Sequence, residues 1–165
     1  MELWDIYDID RIPVGVTAPR GAKLKNGCYH MVIHVCIFNS EGKMLIQQRQ
    51  SCKSWADKWD VSCGGCAVAG ETSREAAQRE VFEELGLKLD LAGVRSAVTV
   101  SFENGFDDFY LIHADPDINA LRLQAEEVQA VRWASMDEIL SIKELLDKPV
   151  RQMSLGQRVK GDLVA

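Results

Sequence analysis

The sequence predicts an α/β domain in which helices cover the faces of a mixed β-sheet. Three observations support this fold class. Residues 28–38 (CYHMVIHVCIF) are rich in β-branched and aromatic residues, as is typical of a buried strand. Two segments, 72–75 and 135–138, carry the capping-box pattern that begins a helix. Strands and helices do not alternate regularly, which favours a mixed sheet over an array of βαβ units.

The first half of the chain is predicted to be mostly strands. A short strand is expected near residues 3–7, followed by irregular chain through residues 13–21, where Pro and Gly recur. The turn at residues 39–42 (NSEG) follows the buried strand, and the chain returns as KMLIQQR (43–49), which predicts a hairpin. A loop then leads to a short strand near residues 61–63 and to the small-residue run GGCAVAG.

The first capping box predicts a helix that ends at Gly86, a residue type favoured just past a helix. Ala77, Val81 and Leu85 recur every four residues and form its apolar stripe. The elements predicted beyond this helix are strands at 97–102, 109–114 and 128–133 and a second helix from about 135 to Leu146, before Pro149.

Composition limits the classes of function that the chain can have. It has 165 residues, 47% of them hydrophobic, which predicts one globular domain with a substantial core. The formal net charge of −6 argues against binding to duplex DNA or to an anionic membrane surface. The chain has no apolar run long enough for a bilayer, and its acidic N-terminus is unlike a signal peptide. With an odd number of five cysteines, we expect a soluble cytoplasmic protein without structural disulfides.

Three glutamates crowd one side of the first predicted helix. Glu80, Glu83 and Glu84 have the spacing of helix neighbours, where like charges cost roughly 0.2–0.5 kcal/mol per pair. At 100° per residue, Glu80 and Glu84 lie beside the apolar stripe and Glu83 lies further round. Such a face is either solvated or covered by a positive charge. Mg²⁺ prefers carboxylate oxygens and water as ligands, so it could supply that charge.

A longer pattern surrounds these glutamates in residues 65–87 (GCAVAGETSREAAQREVFEELGL). It resembles the Nudix box at every defined position. The matching residues are Gly65, Glu71, Arg79, Glu80, Val81, Glu83, Glu84, Gly86 and Leu87. The resemblance implies a single Nudix domain over residues 1–165, folded as an α/β/α sandwich with a mixed sheet, in which the box forms a loop–helix–loop motif.

The resemblance also implies the roles of individual residues. Glu80, Glu83 and Glu84 would bind Mg²⁺, or Mn²⁺ in its place, and Arg79 would orient them. In the family a backbone carbonyl at the position of Gly64 often completes the metal shell, and an acid from outside the box contributes. Glu126 and Glu127 are the best candidates for that acid by position, with Asp108 as the alternative. Gly65 lets the backbone approach metal and phosphates closely.

Outside the box, the stretches YH (29–30), FNSEGKMLIQQR (38–49) and EEVQAVRW (126–133), the R-x-x-x-K spacing of Arg49 and Lys53, and Trp59 resemble the branch related to isopentenyl diphosphate isomerase. This resemblance extends over roughly residues 3–146. It implies that Arg49 and Lys53 contact a diphosphate and that Asp108 lies on the substrate side. We expect an Mg²⁺-dependent hydrolase that cleaves a diphosphate bond in a nucleoside diphosphate linked to another moiety. Homodimerisation is common in such enzymes, although the sequence shows no clear mark of it.

Two alternative functions stay open. An isomerase would carry a catalytic cysteine at the position of Gly64, whereas Cys63 is one place too early. It would also carry a metal-binding histidine where this chain has Cys66, and only His30 remains of its early metal histidines. The second alternative is a Nudix domain that senses a nucleotide without hydrolysing it, but sensors tend to lose the glutamates that this chain keeps.

Other motifs are weaker signals. A single Cys63-x-x-Cys66 pair without a second pair is weak support for a zinc or redox site. His30 and His34 fall on one face of the predicted strand, where they either line the substrate cleft or pack in the protein.

Overall fold

A seven-stranded mixed sheet forms the centre of the structure, a computed structural model that describes residues 1–142. Two further strands pair with each other as a separate hairpin. The strands are β1 (Leu3–Tyr7), β2 (Pro13–Pro19), β3 (His30–Phe38), β4 (Met44–Arg49), β5 (Trp59–Asp60), β6 (Cys63–Cys66), β7 (Val98–Phe102), β8 (Gly105–His113) and β9 (Val128–Ala134). The helices are α1 (Ser73–Leu85), α2 (Met136–Ser141) and a short 3₁₀ turn at Ile118–Ala120.

The longest strands, β3 and β8, pair in parallel at the middle of the sheet. Their register runs over nine residue pairs, from His30 opposite Gly105 to Phe38 opposite His113. Along its other edge, β3 pairs antiparallel with both β4 and β6. The hairpin predicted from the 39–42 turn is therefore confirmed. The short β6 strand sets its glycine pair directly alongside the middle of β3.

Helix α1 begins and ends where the sequence predicts. The Thr72 side chain accepts a hydrogen bond from the Glu75 backbone N–H, and the Glu75 carboxylate accepts one from the Thr72 N–H. Gly86 ends the helix in the left-handed conformation, with φ of 68°. The predicted stripe of Ala77, Val81 and Leu85 is fully buried and belongs to the core cluster on one face of the sheet.

The two faces of the sheet are covered by different helices. The odd-numbered core residues of β3, such as Ile33 and Val35, belong to the cluster that contains α1. The even-numbered Cys36 belongs to a second cluster that includes Ile139 of α2. Because successive strand side chains point to opposite faces, the two helices lie on opposite sides of the sheet. This arrangement is the α/β/α sandwich that the resemblance implies.

The segment at residues 13–21 was predicted to be irregular, and that prediction is wrong for its first seven residues. They form β2, which pairs antiparallel with β1 across a β-bulge. The hairpin is fixed to the loop that precedes α1, because the Ala69 N–H donates to the Leu3 carbonyl at 2.7 Å and the Gly70 N–H donates to Asp5 Oδ2 at 2.7 Å. This attachment brings the open end of the hairpin close to the glutamates of α1.

Several element boundaries also differ from prediction. The strand expected near 61–63 is two short strands, β5 and β6, and β8 begins at Gly105 rather than near residue 109. The predicted extension of the second helix to Leu146 and its end before Pro149 lie outside the described residues. None of the helices within residues 1–142 has the length and apolar character needed to cross a membrane.

Candidate active site

The glutamates of α1 line a polar cleft of about 140 Å³. Glu80 and Glu84 lie beside the apolar stripe of the helix and are buried, with 8% and 5% of their surfaces exposed. Glu83 points further outward, and 48% of its side chain is exposed. The cleft is lined by Glu2, Arg20, Arg49, Lys53, Gly64, Gly65, Arg79, Glu80, Glu83, Glu84, Gln124 and Glu127.

Burial makes the negative charge of this cleft costly. The pKa of Glu84 is raised to about 7, mainly by burial. Hydrogen bonds from Cys63 and Gln47 lower this pKa, whereas the negative charges of Glu80 and Glu127 raise it. Burial likewise raises the pKa of Glu80, although the Arg79 guanidinium opposes the shift. Both carboxylates would therefore be stabilised in their charged form by an additional cation.

Gly65 allows the Glu80 carboxylate to lie against the backbone of β6. A Cβ atom at Gly65 would stand 2.2 Å from both the Cδ and Oε1 atoms of Glu80. Any side chain at residue 65 would force the carboxylate out of its place. The position thus requires glycine for close approach rather than for an unusual backbone angle.

Arg79 connects the acidic side chains to the loop before the helix. Its Nε and Nη2 atoms donate to the two carboxylate oxygens of Glu71 at 2.7 and 2.9 Å. Its Nη1 atom lies 3.0 Å from Glu80 Oε1 and 3.0 Å from Glu83 Oε2, and Nη2 also donates to the Cys66 carbonyl at 3.0 Å. One guanidinium therefore fixes two of the cleft glutamates relative to the glycine loop.

The two basic residues predicted to contact a diphosphate line the same cleft. Arg49 Nη1 lies 3.1 Å from Asp60 Oδ2, and Lys53 forms an ion pair with Glu127. Glu127 is thereby the member of the predicted acidic pair that the structure brings into the cleft. Glu126 is exposed, and its backbone carbonyl faces the Cys52 thiol.

The cleft also contains residues that no sequence pattern indicated. Arg20 and Glu2 come from the open end of the β1–β2 hairpin, and their side chains pair at 2.5 Å. Gln47 of β4 donates from Nε2 to Glu84 Oε2 at 3.0 Å. The alternation along β4 could have indicated an inward-facing Gln47, whereas no local signal placed Arg20 near the box.

Asp108 lies away from the described residues that line the cleft. It is 2% exposed and accepts hydrogen bonds from Arg11 Nη2 at 2.7 Å and Thr99 Oγ1 at 2.5 Å. The preceding residue, Asp107, bonds instead to His34 on the other face of the sheet. The two aspartates differ in surroundings because neighbouring residues of a strand point to opposite faces.

The positions that distinguish an isomerase are occupied differently. Cys63 is fully buried beneath Glu84, and burial raises the pKa of its thiol well above the usual range. A Cβ atom at Gly64 would lie 2.6 Å from Cδ2 of His34, so a cysteine side chain at this position would displace the histidine ring. Burial raises the pKa of the Cys66 thiol to about 11. Neither thiol is set up as a thiolate.

The early histidine shared with isomerases is also packed inside the protein. His30 stacks on Trp4 with ring centroids 4.0 Å apart, and burial lowers its pKa to about 4. Its Nδ1 atom and the indole N–H of Trp4 are buried, with no hydrogen-bond partner among the described residues.

The donor set fits a hard divalent cation. Five carboxylates line the cleft, and such ions prefer oxygen ligands. The Oε1 atom of Gln47, the residue that donates to Glu84, is buried and has no hydrogen-bond partner within residues 1–142. Within residues 1–142, no group of three His, Cys, Asp or Glu side chains lies close enough together to hold a metal ion. Two of the cleft glutamates instead form ion pairs with basic residues: Glu83 pairs with Arg79, and Glu127 pairs with Lys53.

The chain is similar to known proteins over most of its length. Residues 29–154 match the NUDIX domain family model. An uncharacterized Nudix hydrolase of Listeria monocytogenes is 46% identical over 144 residues, which cover 87% of this chain and 85% of that protein. An isopentenyl-diphosphate Delta-isomerase of Pectobacterium atrosepticum is 30% identical over 138 residues, covering 81% of this chain and 76% of the isomerase.

The fold has a close counterpart among solved structures. A crystal structure of a Deinococcus radiodurans protein superposes with a TM-score of 0.72 at 22% identity, and the match covers 92% of this chain and 99% of that one. The family model spans well over half of the chain, and the Listeria relative is similar over most of its length. These matches, together with the box residues and the fold around them, show that this chain belongs to the Nudix hydrolase family.

Proposed function

We propose that the chain hydrolyses a diphosphate bond in a nucleoside diphosphate linked to another moiety, with Mg²⁺ as its cofactor and Mn²⁺ as a substitute. The observation that carries the proposal is the cleft itself. Buried Glu80 and Glu84 supply anionic ligands for a cation, while Arg49 and Lys53 supply positive charge for phosphate oxygens. A diphosphate bound to Mg²⁺ presents both kinds of charge that such a cleft needs.

Glu80, Glu83 and Glu84 would hold the cation, together with Glu127 and the Gly64 carbonyl. A bound Mg²⁺ would neutralise phosphate charge and acidify a coordinated water. The buried pair, Glu80 and Glu84, has its geometry fixed by packing. Glu83 and Glu127 reach the cleft from ion pairs with basic residues, so their carboxylates can be redirected.

Substrate phosphates would accept hydrogen bonds from the basic side chains of the cleft, Arg49 and Lys53. When a phosphate oxygen accepts from Lys53, the ion pair of Lys53 with Glu127 opens and frees the Glu127 carboxylate. Arg79 would keep Glu80 in place, because its guanidinium is anchored by two hydrogen bonds to Glu71, which is not among the cleft-lining residues. Glu83 and Glu84 are the two candidates for accepting the proton of the attacking water.

Glutamine substitutions test these roles. Glu83→Gln and Glu84→Gln should each lower turnover by about 100-fold or more, which is the usual effect of losing an acid–base group or a metal ligand. Glu103→Gln is the matched control, because Glu103 is exposed and lies outside the cleft-lining set. Unchanged Mg²⁺-dependent turnover in both cleft variants would contradict the assignment.

A substrate panel tests the reaction class. Release of phosphorus-containing products should be measured with Mg²⁺ and with EDTA, using nucleoside diphosphate sugars, ADP-ribose, NADH, (d)NTPs and CDP. We expect cleavage of at least one diphosphate-linked substrate in Mg²⁺ and none in EDTA. Binding of these compounds without any product would instead favour a nucleotide sensor.

Isopentenyl diphosphate belongs in the same panel, because the similarity to the Pectobacterium isomerase favours isomerase activity as a second candidate. The crowding of Gly64 by His34 argues against it, since no side chain fits at the position of the isomerase cysteine. Migration of the double bond without release of phosphate would contradict the hydrolase proposal.

A further inference from the structure

His34 is held firmly on the face of the sheet opposite α1. Its Nδ1 atom lies 2.7 Å from Asp107 Oδ1, and both side chains are buried. This hydrogen bond joins the ring to β8. The imidazole also stacks on Phe109, with ring centroids 5.0 Å apart and an interplanar angle of 16°. One edge and one face of the ring are thereby fixed.

The remaining edge of the His34 ring faces Gly64 of the cleft. In the β3–β6 register, His34 is opposite Gly64 and Ile33 is opposite Gly65. A Cβ atom at Gly64 would stand 2.6 Å from Cδ2 and 3.0 Å from Nε2 of His34. At the next residue, a Cβ atom on Gly65 would stand still closer to the Glu80 carboxyl group, at 2.2 Å. The His34 imidazole is therefore packed against Gly64, and the Glu80 carboxylate is packed against the adjacent Gly65, with no room for a side chain at either glycine.

We infer that His34, held by Asp107, is a positioning residue that fixes the Gly64–Gly65 backbone against Glu80 and so sets the geometry of the cation site. This role deepens the proposed function and rests on it. The packing gives it a physical basis, because a close-packed stack transmits a displacement of the ring to the backbone and then to the carboxylate. Groups that orient metal ligands in this way typically change metal affinity by about 10–100-fold when they are removed.

Metal affinity can be measured without substrate, by electron paramagnetic resonance titration of Mn²⁺ into the full-length protein. His34→Asn keeps an amide near the place of Nδ1, where it can still donate to Asp107, but removes the edge that faces Gly64. We expect it to weaken Mn²⁺ binding by about 10-fold. The matched control is His30→Asn, since His30 is equally buried on the same strand but packs on Trp4. The control should bind Mn²⁺ like the wild type.

A double-mutant cycle separates positioning from general loss of packing. Gly64→Ala alone should weaken Mn²⁺ binding about 10-fold or more, because the new methyl group collides with the His34 ring. In a His34→Ala background the methyl group has room, so Gly64→Ala should cost less than about 3-fold further. If His34 contributed only to general packing, the two substitutions would act independently, and their fold-changes in Mn²⁺ affinity would multiply.

The outcomes distinguish this inference from the proposed function. Equal Mn²⁺ affinities of His34→Asn and His30→Asn, or multiplying effects in the cycle, would overturn the positioning role alone. A wild-type protein that binds Mn²⁺ and shows the coupling, yet cleaves no diphosphate, would support the positioning role and overturn the hydrolase proposal. A wild-type protein that binds no Mn²⁺ would overturn the cation site on which both rest.

Discussion

Replacing Glu84 by glutamine should stabilise the metal-free protein at pH 8, although it removes a group from the centre of the cleft. Glu84 is 5% exposed, and burial raises its pKa from 4.5 to about 7. Between pH 4.5 and about 7, the Glu84 carboxyl group is therefore protonated in the folded state but ionised in the unfolded chain. Stability from this group is fully present below pH 4.5 and is lost as the pH rises through about 7. Glutamine has no proton to lose, and it can still accept the hydrogen bond from Gln47.

The size of the effect follows from the shift. A change from 4.5 to about 7 corresponds to about 3 kcal/mol, since one pKa unit is worth about 1.4 kcal/mol. His30 acts in the opposite direction: burial lowers its pKa to about 4, so its contribution to stability grows as the pH rises from about 4 to 6.5. Because His30 is present in both proteins, the difference between Glu84→Gln and wild type isolates the Glu84 contribution.

Urea unfolding followed by tryptophan fluorescence measures this difference. In EDTA, the free energy of unfolding of Glu84→Gln relative to wild type should rise from near zero at pH 4 to about 3 kcal/mol at pH 8. With Mg²⁺ at about 100 times its dissociation constant, the wild type should gain about 2.7 kcal/mol at pH 8. The variant should gain much less, because it lacks a ligand.

Two results would refute this reasoning. A difference between variant and wild type that stays flat from pH 4 to pH 8 would mean that the Glu84 carboxylate is not held in a costly buried position. A wild type whose unfolding at pH 8 is insensitive to Mg²⁺ would mean that the cost is not relieved by a cation.

Three further substitutions test other parts of the site and the helix. Gly65→Ala places a methyl group against Glu80 and should raise the Mg²⁺ concentration needed for half-maximal activity by about 10-fold; an unchanged requirement would contradict the packing. Lys53→Ala should raise KM by about 10-fold or more through loss of a charge-assisted hydrogen bond, whereas Lys25→Ala, an exposed control outside the cleft, should not. Thr72→Ala should lower the free energy of unfolding by about 1 kcal/mol in urea titrations and leave kcat unchanged, and a lower kcat of the folded variant would show that the cap affects the site.

The helix that carries the site could be predicted because its signals are local. The Thr72 cap, its partner Glu75 and the left-handed Gly86 lie within the helix or next to it. The same periodicity predicted that Glu80 would lie beside the apolar stripe and Glu83 further out, as the structure has them.

The rest of the cleft depends on contacts between distant segments. Strand β2 forms through pairing with β1, despite the prolines at both its ends, and this pairing delivers Arg20 to the cleft. The parallel pairing of β3 with β8 joins His34 to Asp107, which are 73 residues apart in sequence. Strand alternation alone could not indicate which of Asp107 and Asp108 faces which side, because the phase is set by this long-range register.

The central claim is that the cleft cleaves a diphosphate bond with the help of Mg²⁺. ³¹P nuclear magnetic resonance tests it most directly, with the wild-type protein added to each diphosphate-linked substrate of the panel. For at least one substrate, we predict that the diphosphate signals are replaced by phosphomonoester signals in Mg²⁺, that they persist in EDTA, and that Glu84→Gln leaves them nearly unchanged. Diphosphate signals that survive for every substrate in Mg²⁺, or that disappear equally fast in EDTA, would contradict the account.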